Sequence, residues 1–123
     1  MSSVVRPGSR ARGSRSGRPI MVLLDLLGRR MTLRILWELS MAQAPLTFRA
    51  LQTAADTNPS VLNSRLSELR AVKIVEHGGG GYRLSATGRS LLALILPLHA
   101  WADRWAAQLD PIGVARPSSR RTQ

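Results

Sequence analysis

The chain contains no cysteine. Disulfides, thiol redox sensing and cysteine–zinc sites are excluded by that alone. Acids are few, seven against eighteen Lys and Arg, which leaves a net charge of +11. No apolar run approaches the ~20 residues of a membrane span, and the longest, Leu91 to Leu98, falls far short. Nothing apolar precedes Ile20, so a secretory signal is not expected and the plain expectation is a cytoplasmic protein. The Arg/Ser-rich, acid-free start also resembles an organellar transit peptide, which stands as the alternative. Nucleophile–base pairs, paired carboxylates and metal-ligand spacings are missing. His77 and His99 come without a ligand cluster, so structural or exposed histidine is the better reading. The run Gly78 to Gly81 lacks the Lys-Ser/Thr and the helix that complete a phosphate-binding loop. Neither catalysis, nor a metal, nor a cofactor is expected.

What is present is basic charge, unevenly spread. Residues 1–19 carry five arginines, no acid and much Gly, Ser and Pro. Such a segment buries too little apolar surface to offset its ordering entropy, and it reads as a disordered basic arm. Residues 110–123 read as a similar tail. Between them lies one domain, 20–109, with ten bases against six acids. The folded part is therefore basic in its own right, which points to double-stranded nucleic acid ahead of an anionic membrane. Unstructured arginines chiefly meet phosphates, so the arm should add affinity without adding specificity.

Periodicity and punctuation divide the domain. Ile20 to Leu27 reads as a short apolar helix ending at Gly28. Met31 to Met41 reads as a second, with Leu33, Leu36, Trp37 and Ser40 facing inward. Pro45 stops it, Leu46 is a one-residue strand candidate, and Thr47 can cap a helix through Leu51 and Ala54. After the turn at Ala55–Thr57, Asn58 and Pro59 supply an N-cap and an N1 proline for a helix to about Val72. Ile74–His77 and Tyr82–Leu84 read as strands separated by the four glycines. Ser85 can cap a final helix, Ala86 to about Leu109, in which Pro97 should introduce a kink.

The stretch Thr57–Arg70, TNPSVLNSRLSELR, is unusual for a surface helix. At about 100° per residue, Leu62, Leu66 and Leu69 share one stripe, and Ser60, Asn63, Ser64 and Ser67 share the opposite one. Solvated faces normally carry long charged side chains. Short donors and acceptors, flanked by Arg65 and Arg70, suit a helix that approaches a polar anionic surface closely. Two short helices joined by a tight turn, then a hairpin, make a helix-turn-helix with a wing, the second helix in the reading position. The fold class expected is α+β, mainly α: a winged helix-turn-helix with a long C-terminal dimerisation helix.

GRRMTLRILWEL (Gly28–Leu39), LTFRALQ (Leu46–Gln52), NPSVLNSRLSELRAVKIV (Asn58–Val75) and YRLSATGRSL (Tyr82–Leu91) together resemble the HxlR-type winged helix-turn-helix transcriptional regulators, relatives of MarR-type proteins. The resemblance implies a homodimer on a pseudo-palindromic operator, acting as a repressor or activator. Family members usually carry Gly-Lys-Trp before the second helix; Arg30 and Met31 stand in the last two places here. Their wing is usually longer.

Within that frame Ser60, Asn63, Ser64 and Ser67 are candidates for base or phosphate contact. Pro59 and Ser60 sit at a helix N-terminus suited to phosphate. Thr47 and Arg49 begin the helix that would cross the DNA backbone; Arg29, Arg30, Arg70 and the wing's Arg83 are further phosphate candidates. Arg65 either meets phosphate or pairs with Glu68 or Glu38. Leu91, Leu94, Ile95, Leu98, Trp101 and Trp105 present more apolar surface than one small domain covers, and a second subunit is the natural cover. A small-molecule effector pocket at that Trp-lined interface is the less simple reading. The rival functions are a non-specific nucleoid-type DNA binder and a winged-helix protein-interaction module.

Overall fold

The computed structural model describes residues 17–109. The expected basic arm up to residue 16 and the expected tail, 110–123, lie outside the described residues. The order is α1 (Pro19–Leu27), α2 (Thr32–Met41), α3 (Phe48–Ala55), α4 (Pro59–Ala71), β1 (Val75–Gly78), β2 (Gly81–Leu84) and α5 (Ala86–Leu109). Helix α1 starts at Pro19, inside the segment read as disordered, because proline at N1 gives up only an N–H that has no intrahelical partner. The chain divides into two compact units, 1–92 and 93–123. The helix α5 runs through that boundary and through Pro97 as one assigned helix.

In the first unit, Leu26, Ile35, Leu36, Leu51, Leu62, Leu69 and Leu84 are buried together with Val22 and Val75. Burying one such side chain contributes about 1.5–3 kcal/mol, so this core supplies most of the stability of a domain this small. The inward face of α2 differs from the expected one. Thr32, Ile35, Leu36 and Leu39 are buried, whereas Leu33 and Trp37 are exposed. This helix is apolar on two sides, and the heavier stripe, Leu33–Trp37–Met41, is the one turned outward.

The caps form where the sequence places them. Thr47 accepts from the Ala50 N–H at 3.0 Å, and Asn58 accepts from the Val61 N–H at 2.8 Å. Each satisfies one N–H that the first helical turn leaves without a backbone partner. The hairpin is tighter than expected. Gly78 pairs with Gly81, and only Gly79 and Gly80 make the turn. Both have positive φ (59° and 92°), which a two-residue turn matching the strand twist demands and glycine supplies without strain. Leu46 joins this hairpin by a two-way backbone bridge to Tyr82, 2.9 Å and 2.7 Å.

The first turn of α5 is anchored to the end of α4. The Ser85 hydroxyl donates to the Lys73 carbonyl at 2.6 Å and accepts from the Gly88 N–H at 2.9 Å. A Cβ at Gly88 would collide with the Ile74 carbonyl. Gly88→Ala gains helix propensity, but overpacking against backbone costs about 1–3 kcal/mol and wins. A lower denaturation midpoint for Gly88→Ala than for the exposed control Ser90→Ala is the expected result; equal midpoints contradict it.

Candidate nucleic-acid interface

Helices α3 and α4 are joined by a three-residue turn closed by Asp56 in the left-handed region, φ 54°. Arg34 of α2 donates to the Ala54 carbonyl at 2.9 Å, which ties the end of α3 to α2. On α4, Leu62, Leu66 and Leu69 are buried, while Ser60, Asn63, Ser64, Ser67 and Arg70 are exposed. The small polar face is therefore presented outward, as the periodicity implies. Arg30, Thr47, Arg49 and Pro59 are exposed as well.

Not every predicted cation has that freedom. The Arg29 and Glu68 side chains retain only 6% and 7% of their exposure, and Arg29 Nη1 lies 3.0 Å from Glu68 Oε2. Asp25 Oδ2 meets Arg29 Nη2 at 3.1 Å. Arg65 donates from Nη2 to Glu68 Oε2 at 3.2 Å, and its Nε stands 3.1 Å from Oε1 at an angle too poor for a hydrogen bond. Its Nη1 also reaches the Arg30 carbonyl, at 3.4 Å. Arg29, read as a phosphate candidate, is thus buried in an internal network. Of the two alternatives for Arg65, the structure holds pairing with Glu68. The chain Asp25–Arg29–Glu68–Arg65 ties α1 and the α1–α2 turn to α4. Two of its links, i to i+4 and i to i+3, are visible as spacings; the long-range link from Arg29 to Glu68 is not.

The wing likewise sorts its residues by face. Strand alternation puts Val75, His77, Tyr82 and Leu84 on one side and Glu76 and Arg83 on the other. Arg83 pairs with Glu76 at 3.0 Å and donates to the Gly78 carbonyl at 3.1 Å. Tyr82 uses both backbone groups on Leu46, so its pairing with His77 is the non-hydrogen-bonded kind, where side chains approach most closely. Their rings sit 4.3 Å apart. Asn63, Ser67, Arg70, Lys73, His77 and Tyr82 line a cleft of about 690 Å³ between α4 and this face of the hairpin.

In the second unit, the distal part of α5 displays its apolar side chains. Leu94, Leu98, Trp101 and Trp105 keep 73%, 60%, 51% and 49% of their exposure. The two indoles stack 5.9 Å apart. Ile95, like Leu91 in the first unit, is half-buried. No helix of the described residues is long and apolar enough to cross a membrane, and no group of three metal-ligating side chains occurs among them.

Residues 26–110 match the HxlR-like helix-turn-helix family. The chain belongs to that family. It is accordingly a DNA-binding transcriptional regulator by type, and the mainly helical winged fold agrees. A quinone-bound crystal structure of YodB from B. subtilis is similar to it, with 29% identity, a TM-score of 0.63, and coverage of 69% of this chain and 94% of that one. No curated protein shows a significant match to the chain.

The buried network generates a stability test. Glu68→Ala leaves the Arg29 charge without its main partner in the interior, at a cost of about 3–5 kcal/mol. Arg29→Met combined with Glu68→Leu should recover part of that loss, since apolar replacement of a buried pair is often neutral or better. Chemical denaturation of the three proteins decides it: a double variant less stable than Glu68→Ala contradicts the account.

Proposed function

We propose that the protein is a sequence-specific regulator, acting as a repressor through a homodimer bound to a pseudo-palindromic operator. The observation that carries this reading is the exposed face Ser60–Asn63–Ser64–Ser67 on the second helix of the helix-turn-helix. Asparagine can pair two-pronged with adenine, and serine serves a base or a phosphate. Side chains this short let a helix lie close to a groove floor. Thr47, Arg49, Pro59 and Arg30 lie around that face and suit the flanking phosphates. Binding, not catalysis, is the proposed activity.

The exposed stripe Leu94–Leu98–Trp101–Trp105 supports dimerisation, because a patch of this character in water marks an interaction site. A two-fold dimer sets the two recognition helices on half-sites about one helical turn, or a multiple of it, apart. The quinone bound by the B. subtilis relative favours a small planar effector. With no cysteine in this chain, addition of a thiol to such a ligand is ruled out here, so the effector is held without a covalent thiol bond.

The test uses an operator obtained by selection from a random duplex library. Asn63→Ala should cost about 1–3 kcal/mol at one base pair per half-site and relax the preference there, while the thermal midpoint is unchanged. Folded Asn63→Ala and Ser60→Ala proteins that keep wild-type affinity and preference would refute base reading by this face. Sedimentation should give a dimer at micromolar concentration, dissociated or aggregated by Leu94→Asp or Leu98→Asp, which bury an unpaired charge. A stable wild-type monomer sinks the dimer.

A further inference from the structure

The cleft between α4 and the hairpin has a chemistry that the helix face alone does not explain. Its α4 wall is Asn63, Ser67 and Arg70, the near edge of the polar face. Its floor includes Leu66 and Val75, and its far wall is the His77–Tyr82 ring pair. The acid on its rim, Glu76, is already neutralised by Arg83 on the opposite face of the hairpin. Arg70 and Lys73 are exposed, and neither side chain has a partner among the described residues. Two free cations therefore stand over an uncharged, partly apolar trough.

A second observation concerns Lys73 itself. It closes α4 with φ 66°, a left-handed conformation that favours glycine. Around it, the Ile74 N–H bonds the Leu69 carbonyl and the Lys73 N–H bonds the Arg70 carbonyl, both at 3.0 Å. This six-residue closure normally carries glycine at the left-handed place. A lysine there costs backbone energy that a glycine would not, and strain of this kind collects at functional positions. The closure also fixes the stem of Lys73 beside the cleft, where the Ser85 hydroxyl holds its carbonyl.

We propose that this cleft seats the sugar–phosphate backbone of one DNA strand, with Arg70, Lys73 and His77 as its phosphate ligands. The inference rests on the proposed DNA reading. If bases lie against Ser60 and Ser64, the strand bordering that groove must pass along the next strip of α4, and that strip is the wall of the cleft. The apolar floor and the Tyr82 ring meet the deoxyribose, and the cations meet the charge. Wing contact then comes from Lys73 and His77 and not from Arg83, whose guanidinium is spent on Glu76 and Gly78.

Lys73 is the only lysine in the sequence, which provides a direct probe. Reductive methylation of the full chain with ¹³C-formaldehyde leaves one side-chain NMR signal besides the N-terminal amine, with the charge retained. A 20-bp duplex of arbitrary sequence should shift that signal, because phosphate contacts do not depend on sequence. Inorganic phosphate at equal phosphate concentration should not. Lys73→Gly removes the amine and suits the left-handed backbone, so the protein stays folded. It should lower the slope of log affinity against log salt by about 0.9, one phosphate contact. Lys73→Arg should restore the slope, and His77→Ala should weaken binding to all duplexes alike. An unmoved Lys73 signal with an unchanged Lys73→Gly slope, while Asn63→Ala still relaxes preference, overturns the seat and leaves the proposed function standing. A saturable shift with phosphate alone also overturns it, in favour of a free-anion site. A wild-type protein that binds no duplex overturns both.

Discussion

Everything on the DNA-facing side depends on how α4 is rotated, and the buried pair of Arg29 with Glu68 sets that rotation. Leucine packing is non-directional: Leu62, Leu66 and Leu69 would tolerate a modest roll of the helix about its axis. A charge-assisted contact at 3.0 Å tolerates far less. Glu68 lies at one margin of the polar face, so holding it against Arg29 holds Ser60, Ser64 and Ser67 outward. Asp25 and Arg65 satisfy the remaining ends of the pair, which a buried charge requires if it is not to unfold the domain. The recognition surface is thus indexed to the N-terminal helix, although the two are far apart in sequence.

A second tie runs from the helix-turn-helix to the wing. The Leu46 bridge gives β2 a partner on each edge and joins the segment before α3 to the hairpin. It also leaves Tyr82 and His77 facing each other at the closest spacing a sheet offers. Reading helix, supporting helix and wing therefore share one backbone network, with Ser85 closing it onto the first turn of α5.

Much of this arrangement was legible in the residues. Thr47, Asn58–Pro59 and Ser85 are local signals whose chemistry acts within four residues, and all three cap helices as expected. The family resemblance rested on the same stretches. Where the sequence misled, the deciding contact was distant. Helix α2 has two apolar stripes, and its periodicity alone does not say which one α1 and α4 will cover. Arg29 looks like a free cation until Glu68 arrives from α4. Arg83 looks like a wing phosphate ligand until strand pairing sets it opposite Glu76. Lys73 and His77 carry no motif at all: what singles them out is a backbone angle and a cross-strand neighbour, neither of which is encoded at short range.

The two-residue turn at Gly79–Gly80 has an architectural consequence. It is the one connection around the reading surface that no buried side chain or cross-element bond holds among the described residues, so added length there is not felt by the core. Loop-closure entropy rises by only about 0.6 kcal/mol for each doubling of loop length. An insertion between these glycines would extend the protein's reach along DNA while the core, the ionic network and the recognition helix stay as they are. The tip of the hairpin is where this scaffold can acquire a new binding footprint at little thermodynamic cost.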